Sequence, residues 1–383
     1  VMTRHVVTHG DGGEEYDVGG EVWILGGSGR SGQAIAAQLA RRGVAPVLVG
    51  RNAERLAAAA ARVDSGRTVA AGSVEAMVDE IHRQEPAVVV NTVGPFTATA
   101  PPVTRACLDV GDYVDLANDV AAVTGVLGLH EAASAAGRCL VTGAGFGVTA
   151  AESVVVHLCA GRPAPVRVRG DMVPSIDVAA GQVGEALAAT LVEGIPGVEG
   201  GRRYGGRRYR DGRLAPAPIG GEPAHLVLPG GERVTTASVP LGELVAAQRA
   251  SGAPDVVAAS SEAPSSPLMR AVLPAATALL ASTRIRDFAR RRLARVQVKA
   301  RPRPRPHSWG HARLEWADGT VQEGWLRVGE AQEFTGTVPA EVVHRLLSGE
   351  GRPGAYTPAA LFGPSLAEAC GGTYVPATAR TAS

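Results

Sequence analysis

Residues 21–52 read EVWILGGSGRSGQAIAAQLARRGVAPVLVGRN. Four apolar residues, Val22-Trp23-Ile24-Leu25, stop at Gly26. A glycine-rich turn and a helix-like stretch follow, then a second apolar run, Val47-Leu48-Val49, ending at Gly50-Arg51-Asn52. Strand, turn, helix and strand in this order have the length of a βαβ unit. Gly27, Gly29 and Gly32 form G-x-G-x-x-G, and Gly26 adds an overlapping glycine. The first glycine permits the tight turn, the second lets a pyrophosphate approach the backbone, and the third lets helix and strand pack closely. The pyrophosphate would sit at the helix N-terminus, where free N–H groups and the helix dipole favour an anion. In a chain with 49 glycines the motif alone says little; the flanking strands and helix give it the context it needs. Gly26, Gly27, Ser28, Gly29, Arg30, Ser31 and Gly32 are therefore assigned to a dinucleotide.

The end of the second strand selects which one. A carboxylate there would bind the ribose 2′-hydroxyl of NAD. Gly50 leaves that position empty, and Arg51 and Asn52 follow, so that a guanidinium stands where a 2′-phosphate would lie. The expected cofactor is NADP(H).

At 383 residues the chain is long enough for two domains. It is 45% apolar and 20% charged with a formal net charge of +1, which argues against nucleic acid as a partner. Cys107, Cys139, Cys159 and Cys370 show no ligand spacing, which reads as reduced thiols and a cytoplasmic location. No histidine or carboxylate pattern suggests a metal. Residues 1–20 read as a mobile tail without the apolar core of a signal peptide.

Beyond residue 52, helices are expected at 53–63, 73–83, 101–109 and 120–136, and strands at 87–90, 113–116 and 139–142. This alternation predicts a doubly wound parallel α/β sheet. The loop Asn91-Thr92-Val93-Gly94-Pro95-Phe96 leaves the carboxyl end of a strand, where open α/β sheets bind ligands. After Gly147 the pattern becomes α+β with a largely antiparallel sheet. Helices are expected at 150–159, 185–193, 338–348 and 357–369, with a helical insertion around 268–295. Strands are expected at 166–170, within 226–239, and at 311–316 and 321–328, while 197–229, rich in Gly, Arg and Pro, reads as long turns or a hairpin around Arg207 and Leu214. Asp318-Gly319 joins the last pair as a hairpin. Residues 251–267 read as loop and 301–306 as an extended, proline-rich stretch.

The motifs GGSGRSG at 26–32, VGRN at 49–52, NTVGPF at 91–96, ACLDVGDYVDL at 106–116, GAGFG at 143–147 and YTPAALFG at 356–363 together resemble the saccharopine dehydrogenase-like family, over roughly residues 21–375. The resemblance implies a Rossmann domain for NADP at 21–147 with 356–383, and an inserted α+β substrate or oligomerisation domain at 148–355. It also implies a C-terminal helix returning to the first domain. Val93, Gly94, Pro95 and Phe96 would pass beside the nicotinamide ribose, and the cleft between the domains would hold the substrate. The chain departs from the family after YVDL, where Asn118 and Asp119 stand in place of the usual glycine and glutamate.

Tyr113, Asp115, Asn118 and Asp119 fall at the sheet's carboxyl edge and are the candidate catalytic residues. A carboxyl among them would give a proton or hold a cationic imine, and Asn118 would polarise the acceptor. The competing reading is turn and cap formation. His307, Trp309, His311 and Trp325 read as a packed aromatic cluster, and Arg202 to Arg210 as a solvated basic loop. The expected activity is NADPH-dependent reduction of a C=N, C=C or C=O bond in a small or lipid-like metabolite. The rivals are a non-catalytic NADP(H)-binding regulatory or scaffold protein and a membrane-peripheral enoyl reductase. For the last, residues 267–295, apolar and then arginine-rich, would meet an anionic surface; covering the cleft or forming a homodimer contact is the commoner use of such a segment.

Overall fold

The computed structural model describes residues 20–63, 67–177, 181–182, 205–264, 266, 271–272, 275, 279, 282–300 and 302–376. The expected tail and the expected helix at 185–193 lie outside them.

The first layer is a seven-stranded parallel sheet. Its strands are β1 (Val22–Leu25), β2 (Val47–Gly50), β3 (Thr68–Ala70), β4 (Val88–Asn91), β5 (Asp112–Asp115), β6 (Cys139–Val141) and a late strand, Gly354–Tyr356, in the order β3-β2-β1-β4-β5-β6 with the late strand beyond β6. The inner strands β1, β2 and β4 are apolar runs, buried along their whole length, because both faces of a parallel sheet are covered, whereas the edge strand β3 is partly exposed. Val22, Ile24, Leu48, Val88, Val90, Val114 and Val141 enter one core, while Trp23, Leu25, Val47, Val49, Val89, Tyr113 and Leu140 enter the other. The helices α1 (Arg30–Ala40), α2 (Ala53–Val63), α3 (Val74–Gln84), α4 (Phe96–Val110), α5 (Val120–Leu127), α6 (His130–Ala136) and α7 (Phe146–Cys159) alternate with these strands. Ile35 and Leu39 of α1 seal the first face, and Met77, Ile81, Val103 and Cys107 of α3 and α4 seal the second.

Three expected helices differ in extent. The helix expected at 101–109 begins at Phe96, with Pro101 and Pro102 inside it, so the prolines do not mark its start. The stretch 120–136 divides into α5 and α6 at Gly128 and Leu129. The helix expected at 150–159 starts at Phe146, with Gly145 in the N-cap position.

The second layer is a nine-stranded mixed sheet. It comprises β7 (Arg167–Val173), β9 (Gly205–Arg210), β10 (Arg213–Pro218), β11 (Ala224–Val227), β12 (Arg233–Ser238), β13 (Asp255–Ser260), β15 (Ser308–Glu315), β16 (Val321–Val328) and β18 (Thr373–Pro376). The short β8 (Gly181–Gln182) and β14 (Gln297–Val298) pair with each other. All neighbours in the large sheet run antiparallel except β7 and β13. The loop expected at 251–267 is thus overturned over 255–260: this segment is a central strand, paired along its whole length with β7. The hairpin at Asp318-Gly319 stands where the turn residues put it, and of the two readings of 197–229 the hairpin holds over β9 and β10, which turn at Asp211-Gly212. Trp309 and Trp325 meet edge to face at 6.0 Å, and His311 lies 4.2 Å from Trp325, as expected of a packed aromatic cluster. Of the basic run, residues 202–204 lie outside the described residues; Arg207 is buried and Arg208 pairs with Glu222, which corrects the reading of a solvated loop.

Helix α8 (Gly242–Ser251) packs on α5, α7 and the second sheet. Helix α9 (Thr283–Ala294) belongs to the expected insertion. The helix expected at 338–348 is α10 (Ala331–Leu347), again running through a proline, Pro339. It lies against α1, with Phe334, Val338 and Val342 in the first core. The strand Gly354–Tyr356, β17, then joins β6. The helix expected at 357–369 is two short ones, α11 (Pro358–Phe362) and α12 (Ser365–Ala369), broken at Gly363-Pro364. Both pack on α7. The buried Glu152 of α7 anchors the first: it accepts hydrogen bonds from Thr357 Oγ1, from Ala359 N at 3.0 Å and from Ala360 N at 3.2 Å. The last segment then divides between the layers, since β18 adds to the second sheet beside β16. Val168, Met172, Val256, Ala312 and Leu314 of that sheet share one continuous core with α7, α10 and the parallel sheet. No helix among the described residues is long and apolar enough to cross a membrane.

Candidate functional site

The glycine turn is held by the strand beside it. Gly26 and Gly27 both donate to Val49 O, at 2.8 and 3.0 Å, and Gly29 N closes onto Gly26 O at 2.8 Å. Gly26 has φ 79°, a conformation that suits glycine. A Cβ on Gly27 would stand 2.8 Å from Leu48 Cβ, and one on Gly32 would stand 2.5 Å from Gly26 O and 2.9 Å from Gly27 Cα. A Cβ on Gly29 would meet Gly26 O alone, at 3.1 Å. Two of the three motif glycines therefore serve packing, and the third borders open space. Gly29 is also the N-cap of α1, with no side chain capping the helix. Its first-turn N–H groups are thus left for an anion. Gln33 Nε2 donates to Ser28 O at 2.8 Å and steadies the turn, while Ser31 is half-buried and Arg30 exposed.

At the end of β2, Gly50 is buried, and a Cβ there would touch only Leu56, at 3.4 Å. Arg51 is exposed and has no hydrogen bond or ion pair among the described residues. Asn52 turns the other way: its Oδ1 accepts from Arg55 N at 2.9 Å and caps α2.

The loop after β4 lies against the glycine turn. Thr92 donates twice to Leu25 O, through N at 3.0 Å and Oγ1 at 2.7 Å. Asn91 Oδ1 accepts from Val93 N at 3.0 Å. Val93, Gly94, Pro95 and Phe96 are left half-exposed beside the turn. The strand order reverses between β1 and β4, and open sheets of this kind bind ligands at that switch point.

The four candidate catalytic residues separate. Tyr113 hydroxyl donates to Asp115 Oδ2 at 2.9 Å and accepts from Asn91 Nδ2 at 3.2 Å. Asp115 Oδ1 accepts from Ala117 N at 3.0 Å, Thr142 Oγ1 at 2.8 Å and Gly143 N at 2.9 Å. Both side chains are fully buried. Burial raises the Asp115 carboxyl and pushes the Tyr113 phenol well above its ordinary value. This network ties together the ends of β4, β5 and β6. Asp119 caps α5, its Oδ1 accepting from Ala122 N at 2.7 Å, and burial raises it too. Asn118 differs: its Oδ1 is buried with no hydrogen-bond partner among the described residues.

These bonds set an expectation for Asp115→Ala. The truncation strands up to four buried donors, each costing about 1–3 kcal/mol when unsatisfied. A loss of roughly 3–5 kcal/mol is expected, partly offset by local relaxation. Urea unfolding measures it. A midpoint within error of wild type would mean that the network holds nothing in place.

Across the cleft, Arg30 faces Asp177, Arg303, Glu330, Gln332 and Glu333 around a cavity of about 380 Å³. Glu330 Oε2 caps α10 through Glu333 N at 2.7 Å, and its Oε1 accepts from Asp177 N at 3.3 Å. Asp177 Oδ1 in turn accepts from Arg303 N at 2.8 Å. The dinucleotide turn therefore opens onto the second layer.

The sequence reading missed Glu243, in the first turn of α8. Neither of its carboxylate oxygens has a hydrogen-bond partner among the described residues. It is 1% exposed, and burial pushes its carboxyl up to about 7. The only signal was a lone glutamate within the apolar run 241–247.

Residues 22–141 match the family model of the saccharopine dehydrogenase NADP binding domain. The first domain is accordingly an NADP-binding domain, and its cofactor is NADP(H). The whole fold is similar to that of apo saccharopine dehydrogenase (L-Glu forming) from Saccharomyces cerevisiae, with a TM-score of 0.54 at 14% identity over 92% of this chain and 96% of that one. A short-chain dehydrogenase from Sphingobium yanoikuyae in complex with NADPH aligns over 32% of this chain and 71% of its own, at 20% identity and a TM-score of 0.27. No curated protein sequence matches the chain.

Proposed function

We propose that the chain is an NADPH-dependent oxidoreductase that reduces a C=N, C=C or C=O bond of a small or lipid-like metabolite in the cleft between its two layers. One observation carries this reading: the bare glycine turn, the unpaired Arg51 and the 92–96 loop lie along one sheet edge that opens onto the second layer. The N–H groups at the head of α1 would take the pyrophosphate, with Gly29 leaving room for it. Arg51 would pair with the 2′-phosphate, and Val93, Gly94, Pro95 and Phe96 would border the nicotinamide ribose. NADPH supplies the hydride; the chain's own part is to hold the acceptor against it, exclude water and handle one proton. Tyr113 and Asp115 would serve by fixing the loop that carries Asn118.

The test is NADPH oxidation with purified protein and a panel of imines, enones and ketones, together with the reverse reaction on saccharopine, the compound in the yeast enzyme's name. Turnover with any member supports the reading. Tight NADPH binding with no turnover across the panel would favour an NADP(H)-binding regulatory protein. That alternative draws on the engagement of Tyr113, Asp115 and Asp119 in bonds within the fold.

A further inference from the structure

Among the described residues, the carboxylates at the end of β5, on α7 and on β7 are bound, whereas Glu243 is not. Asp115 and Asp119 accept hydrogen bonds from backbone N–H groups, as does Glu152 on α7. Asp171 on β7 is held by His311, Thr236 and Arg169. Glu243 is fully buried with both oxygens unpartnered among the described residues. Burying a carboxyl without a partner lowers stability, and an apolar side chain of similar size would fill the space at less cost. The group is therefore left open to something that arrives.

Its place says what arrives. The head of α8 is fastened to the loop after β5: Gly242 N donates to Asn118 O at 3.1 Å, and Leu241 bridges to Asp119. A Cβ on Gly242 would lie 3.2 Å from Asn118 Oδ1, the other unpartnered oxygen of this seam. One unsatisfied group thus comes from each layer, and the two belong to adjoining segments. The seam lies at the carboxyl end of β5, next to the 92–96 loop of β4. The half of such a sheet around β1 and β2 takes the adenosine, which leaves the β4 to β6 half for the nicotinamide.

We propose that Glu243 is the proton donor of the reduction, placed with Asn118 where the acceptor bond meets the nicotinamide. This rests on the oxidoreductase reading above. The acceptor carbon takes a hydride from NADPH, and the π electrons move to the partner atom. That atom takes the proton from the Glu243 carboxyl, and the carboxylate left behind regains one from solvent. NADPH and one proton are consumed, and NADP⁺ and the reduced product are formed.

The surroundings of Glu243 simplify its titration. The shift upward to about 7 comes from burial, opposed only by its own backbone N–H, with no charged neighbour contributing. On the elements packed against α8, Glu152, Asp119 and Asp171 are bound as described; Asp255 on β13, Arg167 and Arg169 on β7, His157 and Cys159 on α7, and Arg207, Arg208, Tyr209 and Arg210 on β9 are the remaining titratable or charged groups.

Binding of the two cofactor forms tests the proposal without a known acceptor. The oxidised nicotinamide carries a positive charge and the reduced ring carries none, so ionised Glu243 favours NADP⁺ alone. NADP⁺ and NADPH are titrated into the full chain between about pH 5.5 and 8.5 at fixed ionic strength. Each pKa unit by which NADP⁺ lowers Glu243 makes NADP⁺ about tenfold tighter across that range. The 2′-phosphate titrates in both forms, so the difference between them isolates the ring. E243Q is expected to lose the difference while binding NADPH as wild type does, and E243D to restore part of it. Folding of E243Q is read separately. A carboxyl raised on folding favours the folded state below its unfolded pKa and ceases to do so as pH rises through the folded value. Wild type should therefore lose stability from about pH 4.5 through about pH 7 that E243Q keeps. Equal pH dependence of the two cofactors in wild type, or a difference retained in E243Q, overturns the assignment of Glu243. Failure of both cofactors to bind overturns the oxidoreductase reading itself, and the proposal with it.

Discussion

Gly29→Val is expected to abolish measurable NADPH binding while the chain remains folded. Gly29 has φ −78° and ψ 167°, an extended conformation open to valine. The added Cβ would meet only Gly26 O, at 3.1 Å. The fold should therefore lose no more than about 1 kcal/mol, the usual scale of a change at an N-cap. A branched side chain at this point fills the space the pyrophosphate must enter and screens the N–H groups at the head of α1. Gly32→Val is the control with the opposite profile. Its Cβ would overlap Gly26 O and Gly27 Cα, both backbone atoms with little freedom to move. A loss of about 3 kcal/mol or more is expected. Thermal unfolding and fluorescence titration with NADPH separate the two variants. Wild-type affinity in Gly29→Val would place the cofactor elsewhere.

Arg51→Ala is expected to weaken NADPH by about tenfold to a hundredfold, the equivalent of one lost charge-assisted hydrogen bond, and to leave NADH nearly unchanged. Nothing in the described fold competes for the guanidinium, so its removal should not disturb the structure. Gly50→Asp should go further in the same direction. A Cβ at residue 50 meets Leu56 at an ordinary contact distance, so the aspartate can be accommodated. Its charge would repel a 2′-phosphate and offer NADH a partner for its ribose hydroxyls. The titrations are compared at one ionic strength, since screening would blunt the contrast. Equal NADH and NADPH affinities in wild type would show that Arg51 points into solvent.

Five strands of the parallel sheet, β1, β2, β4, β5 and β6, were legible because their signals are local: each is a short run followed within a few residues by a helix, and the cofactor turn is one continuous segment. The other two were not, since β3 is a three-residue edge strand exposed at both ends and β17 is supplied from residues 354–356. The strand Asp255–Ser260 was not legible: Asp-Val-Val-Ala-Ala-Ser sits among glycine, proline and serine and has only two β-branched residues. Its strand character comes from pairing with β7, some ninety residues earlier, which no local pattern reveals. The prolines at 101, 102 and 339 misled in a related way. Each lies within a helix whose buried face is held in the core.

The site shows the same division. Gly29 and Arg51 could be assigned from position within one motif. The setting of Asp115 depends on Thr142 and Gly143 from the loop after β6 and, through Tyr113, on Asn91 of β4. The burial of Glu243 depends on α8 packing against α5, α7 and the second sheet. A carboxyl without partners cannot be read from a chain, because partners are a property of the packed molecule.

The single core that runs from the parallel sheet through α7 and α10 into the second sheet makes this chain a poor source of interchangeable parts. The match to NADP-binding domains ends at residue 141, yet the parallel sheet takes its outermost strand from residues 354–356 and the cover over α1 from residues 331–347. A fragment ending at 141 would carry the whole cofactor turn and still lack the outermost strand and the helix packed on α1. Ancestry and autonomy thus have different borders here. Grafting the nucleotide half onto another catalytic half would mean carrying over the late helix and strand as well.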